Sequence, residues 1–153
     1  MSESWSRQDR ARILLVDDED LIRNPLYTLL ENEGYEVLTA SNGADGITIF
    51  RQSIYPIKLL ITDFNMPTLP GLELVRECTR LDRDLSILYI SRSEPNEDLR
   101  RDILGRKRGF LLKPFNGSDL RRKVTELLLA ETALQPSSAA KPNSLSRQVG
   151  IRS

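Results

Sequence analysis

Between residues 11 and 134, short apolar runs alternate five times with segments of helical apolar spacing. The runs are Ile13–Val16, Tyr35–Thr39, Ile57–Thr62, Ser86–Ile90 and Phe110–Leu112. Several have almost no polar interruption, the pattern of strands covered on both faces in a parallel sheet. The segments between and after them read as helices. Leu21–Glu33 carries Ile22, Leu26, Leu29 and Leu30 on one stripe, and Ala44–Gln52 follows the turn residues Asn42 and Gly43. Leu72–Leu81 places Leu74, Val75 and Cys78 together, and Glu97–Leu104 is the weakest pattern. Asp119–Ala130 is the strongest, with Leu120, Val124, Leu127 and Leu128 at i, i+4, i+7 and i+8. Five strand–helix units predict an α/β fold: a (βα)5 doubly wound, parallel five-stranded sheet. Pro25 conflicts with its helix. In a helix interior proline removes a hydrogen bond and costs ~3 kcal/mol, so it is expected in an early turn or at a kink.

The ends of the 153-residue chain lack this alternation. Residues 1–10 read as a flexible N-terminal arm whose one large apolar side chain beyond the initiator is Trp5, and residues 135–153, rich in Ser, Pro and Ala, as a disordered tail or linker. A single domain over 11–134 is long enough to bury a core. Charge changes the picture mainly by exclusion. Twenty-two basic and twenty-two acidic residues balance, which argues against nucleic-acid binding through bulk positive charge. The chain has no histidine, so it holds no Ser-His-Asp or Cys-His set, no histidine-ligated metal and no phosphohistidine of its own. Its one cysteine, Cys78, rules out an intrachain disulfide and fits a cytoplasmic setting. No apolar run approaches the ~18 residues of a membrane span, and the polar start has no signal-peptide core.

The candidate chemistry sits where the strands end, because open α/β sheets form their sites outside the carboxyl ends of the strands. The first strand runs into Asp17, Asp18, Glu19 and Asp20, the third into Asp63, the fourth into Ser91 and the fifth into Lys113 and Pro114. If the strands are parallel and these four are near neighbours, the side chains converge. Asp17, Asp18 and Asp63 in one pocket would either raise a pKa or bind a cation, and all-oxygen ligands favour Mg²⁺, Mn²⁺ or Ca²⁺ over zinc. A phosphoryl dianion would satisfy the metal, the Lys113 ammonium and the Ser91 hydroxyl together. The expected chemistry is attack by one carboxylate on a phosphoryl donor to give an aspartyl phosphate.

The stretches ILLVDDE (13–19), LLITDFNMPTLPGLEL (59–74), YISRS (89–93) and LLKPF (111–115) resemble the receiver domain of bacterial response regulators over about residues 11–132. The short chain looks most like a single-domain, chemotaxis-type regulator. The resemblance implies a flavodoxin-like sheet of order 2-1-3-4-5, with Asp63 as phosphoryl acceptor. It implies Mg²⁺ held by Asp17, Asp18 and Asp63 with the Asn65 carbonyl, Asp17 acting through water. Lys113 would bridge the acceptor and a phosphoryl oxygen, next to a cis Lys113–Pro114 peptide. Ser91 would be the switch hydroxyl and Phe110 the aromatic that rotates inward after it, changing the surface of the fourth helix and fifth strand. The implied donor is a histidine kinase or phosphotransfer protein acting in trans, the output is a downstream protein effector, and the domain accepts a phosphoryl group without being a turnover enzyme. Direct DNA binding is not expected, and the implied assembly is a monomer or weak dimer.

Some positions depart from the family pattern. Arg92 stands where a small residue is usual and is expected to project into solvent or to reach the phosphoryl group. Phe110 lacks a tyrosine hydroxyl. Asn65 and Ser93 lack a general base, so hydrolysis without strong self-acceleration is expected. Ten basic against five acidic residues between Arg92 and Lys123 make the signalling side cationic, whereas Ile13 to Ser86 carry six basic against thirteen acidic. Arg100, Arg101, Arg106, Lys107 and Arg108 are therefore expected to recognise an acidic partner. Two other readings compete: a haloacid-dehalogenase-like aspartyl-phosphate phosphatase using the D-x-D of Asp18 and Asp20, and a pseudo-receiver that binds but is never phosphorylated. A flavodoxin-type FMN site is disfavoured, because the acidic loop after the first strand would repel phosphate.

Overall fold

The computed structural model describes residues 10–133; the arm expected at 1–10, except for residue 10, and the tail expected at 135–153 lie outside the described residues. Five strands, β1 (Arg12–Val16), β2 (Glu36–Ala40), β3 (Leu59–Asp63), β4 (Ser86–Ser91) and β5 (Arg108–Leu112), form one sheet in the order β2-β1-β3-β4-β5. All pairings are parallel, with Ile13 opposite both Val37 and Leu59, and Leu88 opposite Gly109. Five helices cover it: α1 (Asp20–Asn32), α2 (Gly43–Gln52), α3 (Gly71–Leu81), α4 (Glu97–Ile103) and α5 (Gly117–Ala133).

Strand alternation divides the core in two. Leu14, Leu60, Ile87 and Tyr89 face one side and pack with Leu74, Val75 and Cys78 of α3 and Leu99 of α4. Ile13, Leu15, Leu59, Ile61, Leu88 and Ile90 face the other and pack with Leu30 of α1 and Leu120, Val124 and Leu127 of α5. Burying each such Leu or Ile contributes roughly 1.5–3 kcal/mol. Since α1 and α3 leave the adjacent strands β1 and β3 toward opposite faces, a crevice opens at the carboxyl ends of those strands.

The element boundaries show where local sequence was outweighed. Pro25 is the sixth residue of an unbroken α1, neither in its first turn nor at its end. Its side chain is exposed, and the Leu21 carbonyl that its missing N–H leaves belongs to a residue 89% exposed, where water can serve it. Strand β3 starts at Leu59 rather than Ile57, and β5 starts two residues earlier than its apolar run. Pairing with β4 explains the latter, since Arg108 and Gly109 stand opposite Ile87 and Leu88, and Gly109 lets α5 lie close, because a Cβ there would meet Leu127 at 3.2 Å. Asparagines begin three helices: the side chains of Asn42, Asn96 and Asn116 accept from the N–H groups of Asp45, Leu99 and Asp119 at 2.8, 2.9 and 2.8 Å. Among the described residues, no helix is long and apolar enough to cross a membrane.

Candidate functional site

Each strand that borders the crevice delivers a polar side chain at its end. The Asp17 N–H extends the ladder by donating to the Ala40 carbonyl at 3.2 Å, and its Oδ1 accepts from the Glu19 N–H at 2.9 Å. Arg23 of α1 donates to the Asp17 carbonyl at 2.7 Å, locking this turn. Asp63 ends β3, and the loop after it folds back so that the Gly71 N–H reaches the Phe64 carbonyl at 3.0 Å. A Cβ on Gly71 would stand 2.3 Å from the Asp63 carbonyl oxygen, so only glycine lets α3 begin this close to Asp63. Buried Met66 anchors the loop in the core, and Thr68 holds a left-handed turn at φ 70°. Lys113 follows β5, with its N–H on the Ser91 carbonyl at 2.7 Å and a cis peptide to Pro114.

Carboxylate oxygens of Asp17, Asp18 and Asp63 lie within 4.8 Å of one another. Asp17 and Asp63 are buried and Asp18 is exposed. The Lys113 Nζ, itself buried, lies 3.2 Å from Asp17, 3.1 Å from Glu19 and 3.7 Å from Asp63. Burial raises the Asp63 pKa to about 6; Lys113 opposes the rise, and the charges of Asp17 and Asp18 add to it. Burial also pushes Asp17 upward, against the Glu19 N–H and Lys113. Burial disfavours the Lys113 ammonium, but the Asp17 and Asp63 carboxylates outweigh it and hold the ammonium above its ordinary pKa. Glu19 is held below the usual carboxylate range by its hydrogen bond from Lys113, with Arg92 assisting. When ionised, Asp17, Asp18, Glu19 and Asp63 exceed the charges of Lys113 and Arg92 by two, a deficit that one divalent cation neutralises.

The residues expected to converge do so. Ser91 is buried, and its Oγ accepts from the Asn65 side-chain amide at 3.3 Å and from the Ser93 N–H at 3.1 Å. Phe110 is half-buried against the α3–α4 side of the core, in register with Tyr89. Asp20 does not join the group: it pairs with Arg23 at 2.5 Å on the first turn of α1, which leaves the D-x-D reading without its second acid. Arg92 projects largely into solvent, as expected, and its guanidinium also pairs with Glu19 across the mouth of the crevice. That pair spans 73 positions, and no local pattern announces it. Glu19 and Gly71 were legible as motif letters but not as parts of the site.

The cationic face is less uniform than its sequence. Arg101 pairs with Glu97 and Asp98 on the surface of α4, Arg100 donates to the Pro95 carbonyl, and Lys107 reaches the Asp84 carbonyl. Arg106 is exposed. Arg108 is turned inward: its side chain is 16% exposed and its Nε donates to Asp102 at 3.1 Å. The same Asp102 carboxylate accepts from the buried Tyr89 hydroxyl at 2.5 Å, tying β4, α4 and β5 together.

A five-stranded 2-1-3-4-5 parallel sheet with three acids, a hydroxyl and a lysine at its rim defines a class, and the comparisons agree. The family model described as response regulator receiver domain matches residues 13–125, and the chain belongs to this family. It is 36% identical over 124 residues to the response regulator receiver protein CpdR of Brucella abortus, covering 78% of this chain and 98% of that protein. The chemotaxis protein CheY4 of Vibrio cholerae superposes with a TM-score of 0.70 at 28% identity, covering 78% of this chain and 99% of that structure. Other relatives are longer. The aerobic respiration control protein ArcA of Escherichia coli is 35% identical over 119 residues, which cover 76% of this chain and 48% of that protein. The chain is thus a receiver domain of a two-component system, a class that works as a phosphorylation-dependent switch and is served by histidine kinases or phosphotransfer proteins.

Proposed function

We propose that Asp63 is the phosphoryl acceptor of this switch. The observation that carries the assignment is that Lys113 lies 3.7 Å from Asp63 while Asp17 and Asp18 complete an oxygen cluster within 4.8 Å. The donor set fits Mg²⁺, a hard cation bound by carboxylates and carbonyls; Asp17, Asp18 and Asp63 with the Asn65 carbonyl would hold it. Bound there, Mg²⁺ would supply positive charge to the transferring group. The chain's own residues do the rest. An Asp63 oxygen attacks phosphorus, the new O–P bond forms, and the P–N bond to the donor histidine breaks with its electron pair left on the imidazole. Asp63 must be ionised to attack, and a pKa of about 6 leaves it so at neutral pH. Lys113 neutralises charge on the phosphoryl oxygens, and the Ser91 hydroxyl turns from Asn65 to donate to one of them. The space that Ser91 leaves admits Phe110, and the α4–β5 surface follows. The conformation with Ser91 and Phe110 inward gains only by its differential affinity for the dianion.

The donor has a docking surface at the same rim. An apolar cleft of about 550 Å³, lined by Leu21, Ile22, Pro25, Leu26 and Phe115, opens onto Lys113. It suits the apolar face of a helix bearing the phosphohistidine. Arg100, Arg101, Arg106 and Lys107 present the cationic side to an acidic effector. The receiver unit spans 11–134, acts in the cytoplasm and accepts one phosphoryl group per cycle instead of turning over a substrate. Incubation with acetyl phosphate and Mg²⁺ tests the assignment by intact mass. The wild type gains one phosphoryl group and Asp63→Asn gains none, while Asp18→Ala binds Mg²⁺ more weakly by titration. Equal labelling of Asp63→Asn, or unchanged Mg²⁺ affinity in Asp18→Ala, would contradict it.

A further inference from the structure

The Glu19 carboxylate lies between two cations at the mouth of the crevice. One oxygen takes Lys113 at 3.1 Å and the other takes Arg92. Lys113 is buried and hydrogen-bonded to Asp17 and Glu19, with Asp63 at 3.7 Å, so the one N–H it has left faces the acceptor, and any further phosphoryl oxygen needs another donor. Arg92 differs. It directly follows Ser91, the hydroxyl at the rim, its side chain is 66% exposed, and the described structure gives it one partner, Glu19. Its planar guanidinium offers five donors in a fork that matches phosphoryl oxygens better than it matches one carboxylate oxygen. A dianion arriving on Asp63 repels Glu19 and attracts both of the cations that Glu19 holds.

We propose that Arg92 is a second phosphoryl-binding cation of this receiver, held in reserve by Glu19 until the phosphoryl group displaces that carboxylate. The assignment rests on the reading of Asp63 as acceptor. In the reaction with acetyl phosphate, an Asp63 oxygen bonds to phosphorus and acetate leaves with the electron pair of the broken P–O bond. The guanidinium then exchanges a carboxylate oxygen for phosphoryl oxygens. Glu19 acts as a resident competitor: it lowers affinity for any tetrahedral anion on Asp63 and keeps the two cations from repelling each other while the site is empty of phosphate. Arg92 also borders the apolar cleft, so a protein donor seated there would touch the Arg92–Glu19 pair directly.

A two-by-two set of variants tests this: wild type, Arg92→Ala, Glu19→Gln and the double variant, all with Mg²⁺. Beryllofluoride half-saturation is read by fluorine NMR, and phosphoryl uptake from acetyl phosphate by intact mass. Glu19→Gln is expected to tighten beryllofluoride severalfold. Arg92→Ala is expected to weaken it about tenfold, as the loss of a charge-assisted hydrogen bond would, and to do so in the Glu19→Gln background as well. Arg92→Lys should restore part of the loss. If the Arg92→Ala effect disappears once Glu19 is neutral, Arg92 only braces Glu19 and the proposal is wrong. If it is absent in both backgrounds, Arg92 does not meet the phosphoryl group, and the proposal is equally wrong. An Asp63→Asn control that takes up label like the wild type would instead overturn the acceptor assignment. Matching thermal midpoints across the set confirm that the fold is intact.

Discussion

Leu60 and Asp63 stand three residues apart on β3, both out of solvent, and for opposite reasons. Leu60 is buried among apolar side chains of α3 and the neighbouring strands, where removal from water is itself the gain. Asp63 is buried among other carboxylates, where removal from water is a cost that one lysine only partly offsets. The interior of the sheet supplies stability, and its carboxyl rim holds charges in a state that a cation and a phosphoryl group would relieve. The contrast teaches where to look for function in such a sheet: at the point where a strand stops improving the fold.

The largest expected effect falls on the interior. Leu60→Ala should destabilise the domain by about 3 kcal/mol, the usual cost of a Leu-to-Ala change in a closely packed core. Because no charge is involved, the loss should be the same at pH 5 and pH 8 and with or without Mg²⁺, as measured by urea denaturation. A pH-dependent loss would mean that core and rim are not separable.

The rim should respond with the opposite sign. The Asp63 pKa is raised on folding from near 3.8 to about 6, so between those values the folded state binds more protons than the unfolded one. Stability therefore falls as pH rises from about 4 to about 6, and the full cost is present above 6. Replacing the carboxylate by a neutral amide should stabilise the metal-free protein at pH 8 by at most about 3 kcal/mol, at 1.36 kcal/mol per pKa unit. The gain of Asp63→Asn should shrink as pH drops through 6 and vanish near 4. Adding Mg²⁺ should stabilise the wild type more than the variant. Denaturation in chelator across this range measures the curve, and a variant less stable than the wild type at pH 8 would reverse the comparison.

The interior was the more legible of the two regions. Continuous apolar runs mark β1, β3 and β4 because both of their faces are buried, and five runs with five helical stripes define the fold class. Boundaries were less legible where a contact distant in sequence decided them: Gly109 belongs to β5 because it pairs with Leu88 of β4, and Pro25 sits in α1 because its side faces water. At the rim, Asp17, Asp63, Ser91 and Lys113 could be read because each ends a strand, and topology brings strand ends together. The Glu19–Arg92 pair and the Tyr89–Asp102–Arg108 group could not, since each depends on the path of a side chain between separate segments. Charge counting showed a cationic signalling side but could not show that Arg108 is consumed within the fold.

That last distinction yields the smallest predicted effect and the finest contrast. Arg101 pairs with Glu97 and Asp98, but all three side chains are at least 63% exposed. Arg101→Ala should change stability by less than about 0.5 kcal/mol, and any difference should fade as salt is raised. Arg108 lies under the surface on a carboxylate that also holds the Tyr89 hydroxyl. Arg108→Ala should cost more, about 1–2 kcal/mol, with weak salt dependence, because it leaves a half-buried Asp102 short of a donor. Parallel urea titrations at low and high salt separate the two. Equal losses would mean that neighbouring arginines on this face are equivalent. A larger loss at Arg108 alone would mean that the exposed arginines of α4 contribute little to folding, which leaves them available to a partner.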